Sequence, residues 1–117
     1  MGRLTTHVLD TAQGRPAAAL AIELARFEGN AYASVARAVT NADGRCDTPL
    51  LEGAALTRGR YRLTFDAGAY FAAQGLALPD PPFLERIHVD FGIADAAAHY
   101  HVPLLVSPWS YATYRGS

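Results

Sequence analysis

Apolar residues recur at every second position in short runs along this chain, a period that strands satisfy and helices do not. Leu20, Ile22 and Leu24 alternate with Ala21, Glu23 and Ala25; Tyr61, Leu63 and Phe65 with Arg62, Thr64 and Asp66; Ile87, Val89 and Phe91 with Arg86, His88 and Asp90. Each run predicts a strand with one buried face. Further strands are expected at about Leu4 to Leu9, and as a C-terminal pair, about His99 to Val106 and Trp109 to Tyr114, broken at Pro108. Turn chemistry separates the runs: Gly14 and Pro16 after Asp10, Asn41-Ala42-Asp43-Gly44, and Pro79-Asp80-Pro81-Pro82, which neither a helix nor a central strand can contain. One short helix is predicted from about Ala67 to Leu76, with Gly75 placed to end it. Many short strands at even spacing imply an all-β sandwich or barrel with one helical insert. The length suits one domain over residues 1–117 with a thin core.

Composition narrows the partners. Half of the residues are hydrophobic, as a packed globule requires. Ten basic residues against eleven acidic ones leave no basic patch or stripe, so nucleic acid is not an expected partner. All ten basic residues are Arg, which reads as the bias of a bacterial genome rather than as function. No apolar stretch approaches the roughly 20 residues that span a bilayer, so no membrane partner is expected. The first seven residues carry no apolar core of a signal peptide, and Cys46 has no cysteine to pair with. Both agree with a bacterial cytoplasmic setting.

The candidate chemistry lies in four histidines, at 7, 88, 99 and 101. His99 and His101, two apart on a strand, point to one face and could serve a metal or acid–base site. His7 shares its strand face with Thr5 and Leu9, whereas His88 lies opposite the apolar residues and is expected to face solvent. Three histidines and a water would make a catalytic zinc site, but no HExxH and no paired cysteine accompanies them. A serine nucleophile lacks its GxSxG elbow. Cys46 follows Arg45 at the start of a polar stretch and reads as a small filler. The segment Ser110-Tyr111-Ala112-Thr113-Tyr114-Arg115-Gly116-Ser117 is aromatic and polar by turns, and is expected to dock rather than fray.

Three segments together resemble the transthyretin-like family, in its branch that hydrolyses 5-hydroxyisourate. They are Thr6-His7-Val8-Leu9-Asp10-Thr11 with Gly14-Arg15-Pro16-Ala17, then Thr40-Asn41-Ala42-Asp43-Gly44-Arg45, then His99-Tyr100-His101-Val102-Pro103-Leu104-Leu105 with the closing Tyr114-Arg115-Gly116-Ser117. The last four residues look like the signature that separates the hydrolases from the hormone carriers. Trp109, Ser110 and Ala112 stand where relatives more often have Tyr, Gly and Ser; they flank that signature without altering it. The resemblance implies a sandwich of two four-stranded antiparallel sheets with one short helix. It implies a homotetramer, a dimer of dimers, with sites in the channel where dimers meet. Carried over position by position, it implies catalytic roles for His7, Arg45, His101 and Ser117, and substrate contacts from His7, Arg45, Tyr114, Arg115, Gly116 and Ser117, with His99 in support. No metal and no organic cofactor are implied.

These residue types suit hydrolysis of a cyclic amide. A neutral imidazole takes a proton from water near pH 7, and an Arg fork holds carbonyl oxygens or an anionic ring. The competing class is a carrier of an aromatic small molecule in a subunit channel. A carrier calls for a mostly apolar channel, and the side chains of His7, Arg45, His101, Tyr114 and Ser117 make a polar one.

Overall fold

The computed structural model describes residues 1–117. In chain order the strands are β1 (Arg3–Thr5), β2 (Val8–Asp10), β3 (Arg15–Pro16), β4 (Ala21–Glu28), β5 (Ala31–Val39), β6 (Leu51–Glu52), β7 (Gly59–Phe65), β8 (Ile87–Ile93), β9 (His99–His101), β10 (Leu104–Val106) and β11 (Tyr111–Thr113). One α-helix, α1 (Ala67–Ala73), follows β7, and a 3-10 turn spans Gly53–Ala55. The predicted helix therefore exists but stops a turn early, with Gly75 at φ +80° just beyond it.

The alternating runs form one antiparallel sheet, ordered β5-β4-β7-β8, with Ile22 opposite Phe65 and Leu63 opposite Val89. Its inner face carries Leu24, Leu63 and Phe65, none of them exposed at all. Strand β5 escaped the sequence reading. It is an edge strand in which four of nine residues are alanine and none is fully buried, so it has no strongly apolar face for periodicity to reveal.

The opposing layer differs from the expected four antiparallel strands. It is split into a sheet β11-β10-β2-β3 and a sheet β6-β1-β9, and it contains two parallel pairs, β1 with β9 and β2 with β10. The split has a local cause. The chain passes from β1 to β2 through Thr6-His7 and from β9 to β10 through Val102-Pro103, and proline has no N–H to give to a ladder. The ladder is carried across the break by Val102 N donating to Thr5 O (2.9 Å) and Leu104 N donating to His7 O (2.9 Å). The buried Thr6 hydroxyl also donates to Val102 O at 2.6 Å, riveting one break to the other. This paired kink brings residues from opposite ends of the chain side by side.

Between the layers lies one cluster of buried side chains, with Leu4, Val8, Leu104 and Val106 from the split layer against Tyr61, Phe65 and Ile87 from the sheet opposite. Helix α1 adds Tyr70 and Phe71 to it. Asp10 is fully buried, a cost that ionised carboxylates meet only with donors. It accepts from Gln13 N (2.9 Å), Gln13 Nε2 (2.7 Å) and Tyr70 Oη (2.8 Å), which ties the end of β2 to the helix. No helix is long and apolar enough to cross a membrane.

Candidate active site

The kink in the split layer holds His7 and His101. His101 ends β9 directly opposite Thr5 of β1, and His7 stands in the break before β2. Their rings stack with centroids 4.8 Å apart, and His7 Nδ1 lies 2.7 Å from His101 Nε2. At the other side of the second ring, His101 Nδ1 lies 2.7 Å from Thr5 Oγ1. A hydroxyl and two imidazoles thus form a chain of three hydrogen-bonding groups, although the sequence separates its ends by more than ninety positions.

Arg45 reaches this pair through the turn before it. Asn41 Oδ1 accepts from Asp43 N (2.9 Å) and Arg45 N (3.2 Å), and Gly44 N donates to Asn41 O at 2.9 Å. Gly44 sits at φ +73°, and a Cβ there would fall 2.4 Å from the carbonyl oxygen of Val8, to whose N–H Gly44 O bonds at 2.8 Å. Only glycine fits so tight an approach. The turn delivers Arg45 into an antiparallel bridge with His7.

The C-terminal segment closes the third side. Gly116 bridges His101, its N–H donating to His101 O at 2.7 Å. A Cβ on Gly116 would lie 2.7 Å from His101 Cδ2, so this glycine lets the main chain press against the ring. The expectation that the segment docks holds. Arg115 turns away: its guanidinium lies 4.2 Å over the Tyr100 ring and donates to His99 O at 3.1 Å. Within one chain it anchors the segment and is absent from the cleft.

The result is an open cleft of about 560 Å³ lined by Thr5, His7, Arg45, His101, Tyr114 and Ser117, with Gly116 behind. Its walls are polar and charged. Of the expected residues, His99 is exposed and outside the cleft, and His88 is exposed on the other sheet, bonded to Thr64 Oγ1 at 2.9 Å. Thr5, Arg3 and Asp47 line the cleft without having been singled out. The position of Thr5 two residues before His7 on one strand face was the signal for it. Cys46 also lines the cleft, but burial, and then Asp47, push its thiol pKa up, so it stays protonated and is a poor nucleophile.

Electrostatics favour neutral imidazoles. Burial, then the Arg45 charge, pushes His7 below its ordinary value. Burial, then His7, then Arg45 does the same to His101, against a smaller upward pull from the main chain of Thr5. Two rings in direct contact titrate as a pair. They remain available as a base at pH 7, next to a fixed cation suited to a developing oxyanion. No three His, Cys, Asp or Glu side chains converge as metal ligands do.

Fold and site together define a transthyretin-like sandwich with a polar cleft whose paired imidazoles are equipped for acid–base chemistry. The HIUase/Transthyretin family model matches residues 4–116. A 5-hydroxyisourate hydrolase of Ralstonia nicotianae is 60% identical over 117 residues, all of both chains. Among solved structures, (S)-allantoin synthase is 49% identical with a TM-score of 0.94, covering 99% of this chain; this chain spans 44% of that longer one. Sea bream transthyretin in complex with thyroxine is 31% identical, with a TM-score of 0.87 over 97% of this chain and 94% of that one. The chain belongs to the HIUase/Transthyretin family.

Proposed function

We propose that this protein is a 5-hydroxyisourate hydrolase, opening the six-membered ring to 2-oxo-4-hydroxy-4-carboxy-5-ureidoimidazoline in urate degradation, without a cofactor. The observation that carries this reading is the contact between His7 Nδ1 and His101 Nε2 beside Arg45 in a polar cleft. Relatives bearing that name match from end to end.

In this reading the histidine pair takes a proton from water, and the resulting hydroxide attacks a ring carbonyl. Arg45 donates to the carbonyl oxygen as it becomes an oxyanion. When the tetrahedral intermediate collapses, the carbon–nitrogen bond breaks and the proton held by the pair passes to the leaving nitrogen. Tyr114 and Ser117 present hydroxyls to the substrate edges, and the N–H of Gly116 and the guanidinium of Arg115 hold the segment that carries them. The carrier reading fits less well, because the side chains lining this cleft are those of a proton-transfer site.

Residues 1–117 act as one domain in a cytoplasmic homotetramer, a dimer of dimers. Two features support assembly. Strands β8 and β11 are sheet edges, and Trp109, Tyr111 and Tyr114 are exposed near the second of them. The test is an ultraviolet assay on freshly generated 5-hydroxyisourate. Enzyme-dependent acceleration of its decay is expected; saturable binding with no turnover would instead establish the carrier.

A further inference from the structure

The ring of His101 is held on three sides, by Thr5 Oγ1 at Nδ1, by His7 at Nε2 and by the main chain at Gly116 beside Cδ2. His7 Nε2 has no protein partner, and His7 lines the cleft, so this nitrogen is the one free to meet water. Whether it can act as a base depends on which way the chain of hydrogen bonds runs. If the Thr5 hydroxyl donates to His101 Nδ1, then His101 Nε2 must carry the proton and donate to His7 Nδ1. That leaves the His7 proton on Nε2, where it blocks base catalysis. If Thr5 accepts from His101 Nδ1–H, then His7 donates Nδ1–H to His101 Nε2, and His7 Nε2 keeps its lone pair.

Building on the hydrolase reading above, we propose that the Thr5 hydroxyl is a positioning residue that accepts the Nδ1 proton of His101 and so keeps Nε2 of His7 free to act as the base. Thr5 and His101 are register partners in a parallel strand pair, so main-chain pairing sets their separation rather than a mobile loop.

The proton path balances. His7 Nε2 takes a proton from water while its Nδ1 proton passes to His101 Nε2. The charge then rests on His101, whose Nδ1–H still donates to Thr5. Reversal delivers the Nε2 proton of His7 to the leaving nitrogen and restores the starting state. Other charged or titratable groups around the pair are Arg45 from the turn, Arg3 from β1, Asp47 after the turn, and Tyr114 from the C-terminal segment, with exposed His99 two residues along β9. Of these, Arg45 pushes the His101 pKa down, as does His7, both after burial. Neither supplies an acceptor at Nδ1.

The experiment combines nitrogen-15 NMR of the imidazoles with kinetics of Thr5→Val and Thr5→Ser. The wild-type protein is expected to show His101 in its Nδ1–H form. Thr5→Val should shift His101 toward Nε2–H and lower kcat about tenfold or more, with little change in KM. Its loss of an acceptor for the imidazolium should move the acid limb of the kcat/KM profile to lower pH. Thr5→Ser should restore both kcat and the limb. An Nε2–H tautomer at His101 in the wild-type protein overturns the proposal, and that measurement needs no variant to fold. So does a folded Thr5→Val with wild-type kcat and pH profile, provided that His101→Asn is inactive. If His101→Asn is itself active, the hydrolase site has been misassigned as a whole.

Discussion

At the scale of single residues, the decisive facts are two nitrogen–nitrogen and nitrogen–oxygen distances and the guanidinium beside them. Replacing His7 or His101 with Asn keeps approximate shape and removes titration, and each is expected to lower kcat by about a hundred- to ten-thousand-fold. His88→Asn, on the exposed face of the other sheet, should change little, and steady-state kinetics on the three variants checks both statements. Arg45→Lys keeps the charge and loses the planar fork, so KM should rise as kcat falls. The pH dependence follows from the depressed histidines. Activity needs the neutral pair, so the acid limb of kcat/KM should lie below about 6.5, the ordinary histidine value. Stability carries the corresponding sign: the unfolded chain binds protons from about pH 6.5 downward while the folded pair resists, so Tm should fall as pH drops through that window. Thermal melts of wild type and His101→Asn from pH 7.5 to 5 test this, the variant having the shallower slope.

At the scale of elements, the site depends on contacts that never touch substrate. The end of β2, which begins just after His7, is held to α1 by the bond from Tyr70 Oη to buried Asp10. Burial, then that carboxylate, pushes the Tyr70 phenol up to about 12, so it remains a donor throughout the working range. Tyr70→Phe leaves Asp10 one donor short and should cost about 1–3 kcal/mol in urea unfolding, with kcat nearly unchanged in the folded fraction. A loss of activity without a loss of stability would place α1 in the catalytic machinery instead. The sheet of alternating runs was legible because each strand buries one face. Strand β5 was not, because an alanine-rich edge leaves no hydrophobic period.

At the scale of the whole molecule, an isolated chain leaves β8 and β11 as open edges and Trp109 at 59% exposure. Light scattering at micromolar concentration should report the mass of a tetramer, for which 222 symmetry is the closed form open to a dimer of dimers. Monomers alone would count against that assembly. Exhaustive chelation should leave both turnover and assembly intact, and chelator-sensitive turnover would restore the zinc alternative.

The sequence by itself determined the sandwich class, the short helix and the neighbourhood of the site. Those properties are written locally, in period-two burial, in turn residues, and in segments recognisable without knowing what they touch. It also carried the tight turn at Asn41 to Arg45, since glycine is the residue that tolerates both its φ and its close approach to Val8. Tertiary structure alone decided the rest. The mixed, split layer arises because Pro103 and the Thr6-His7 step interrupt two strands at the same height, which only their parallel pairing reveals. The same pairing sets Thr5 against His101, and His101 against His7. It also sends Arg115 to Tyr100 rather than into the cleft. That chain of three hydrogen-bonding groups rests on distances between residues far apart in sequence, and no local pattern encodes such distances.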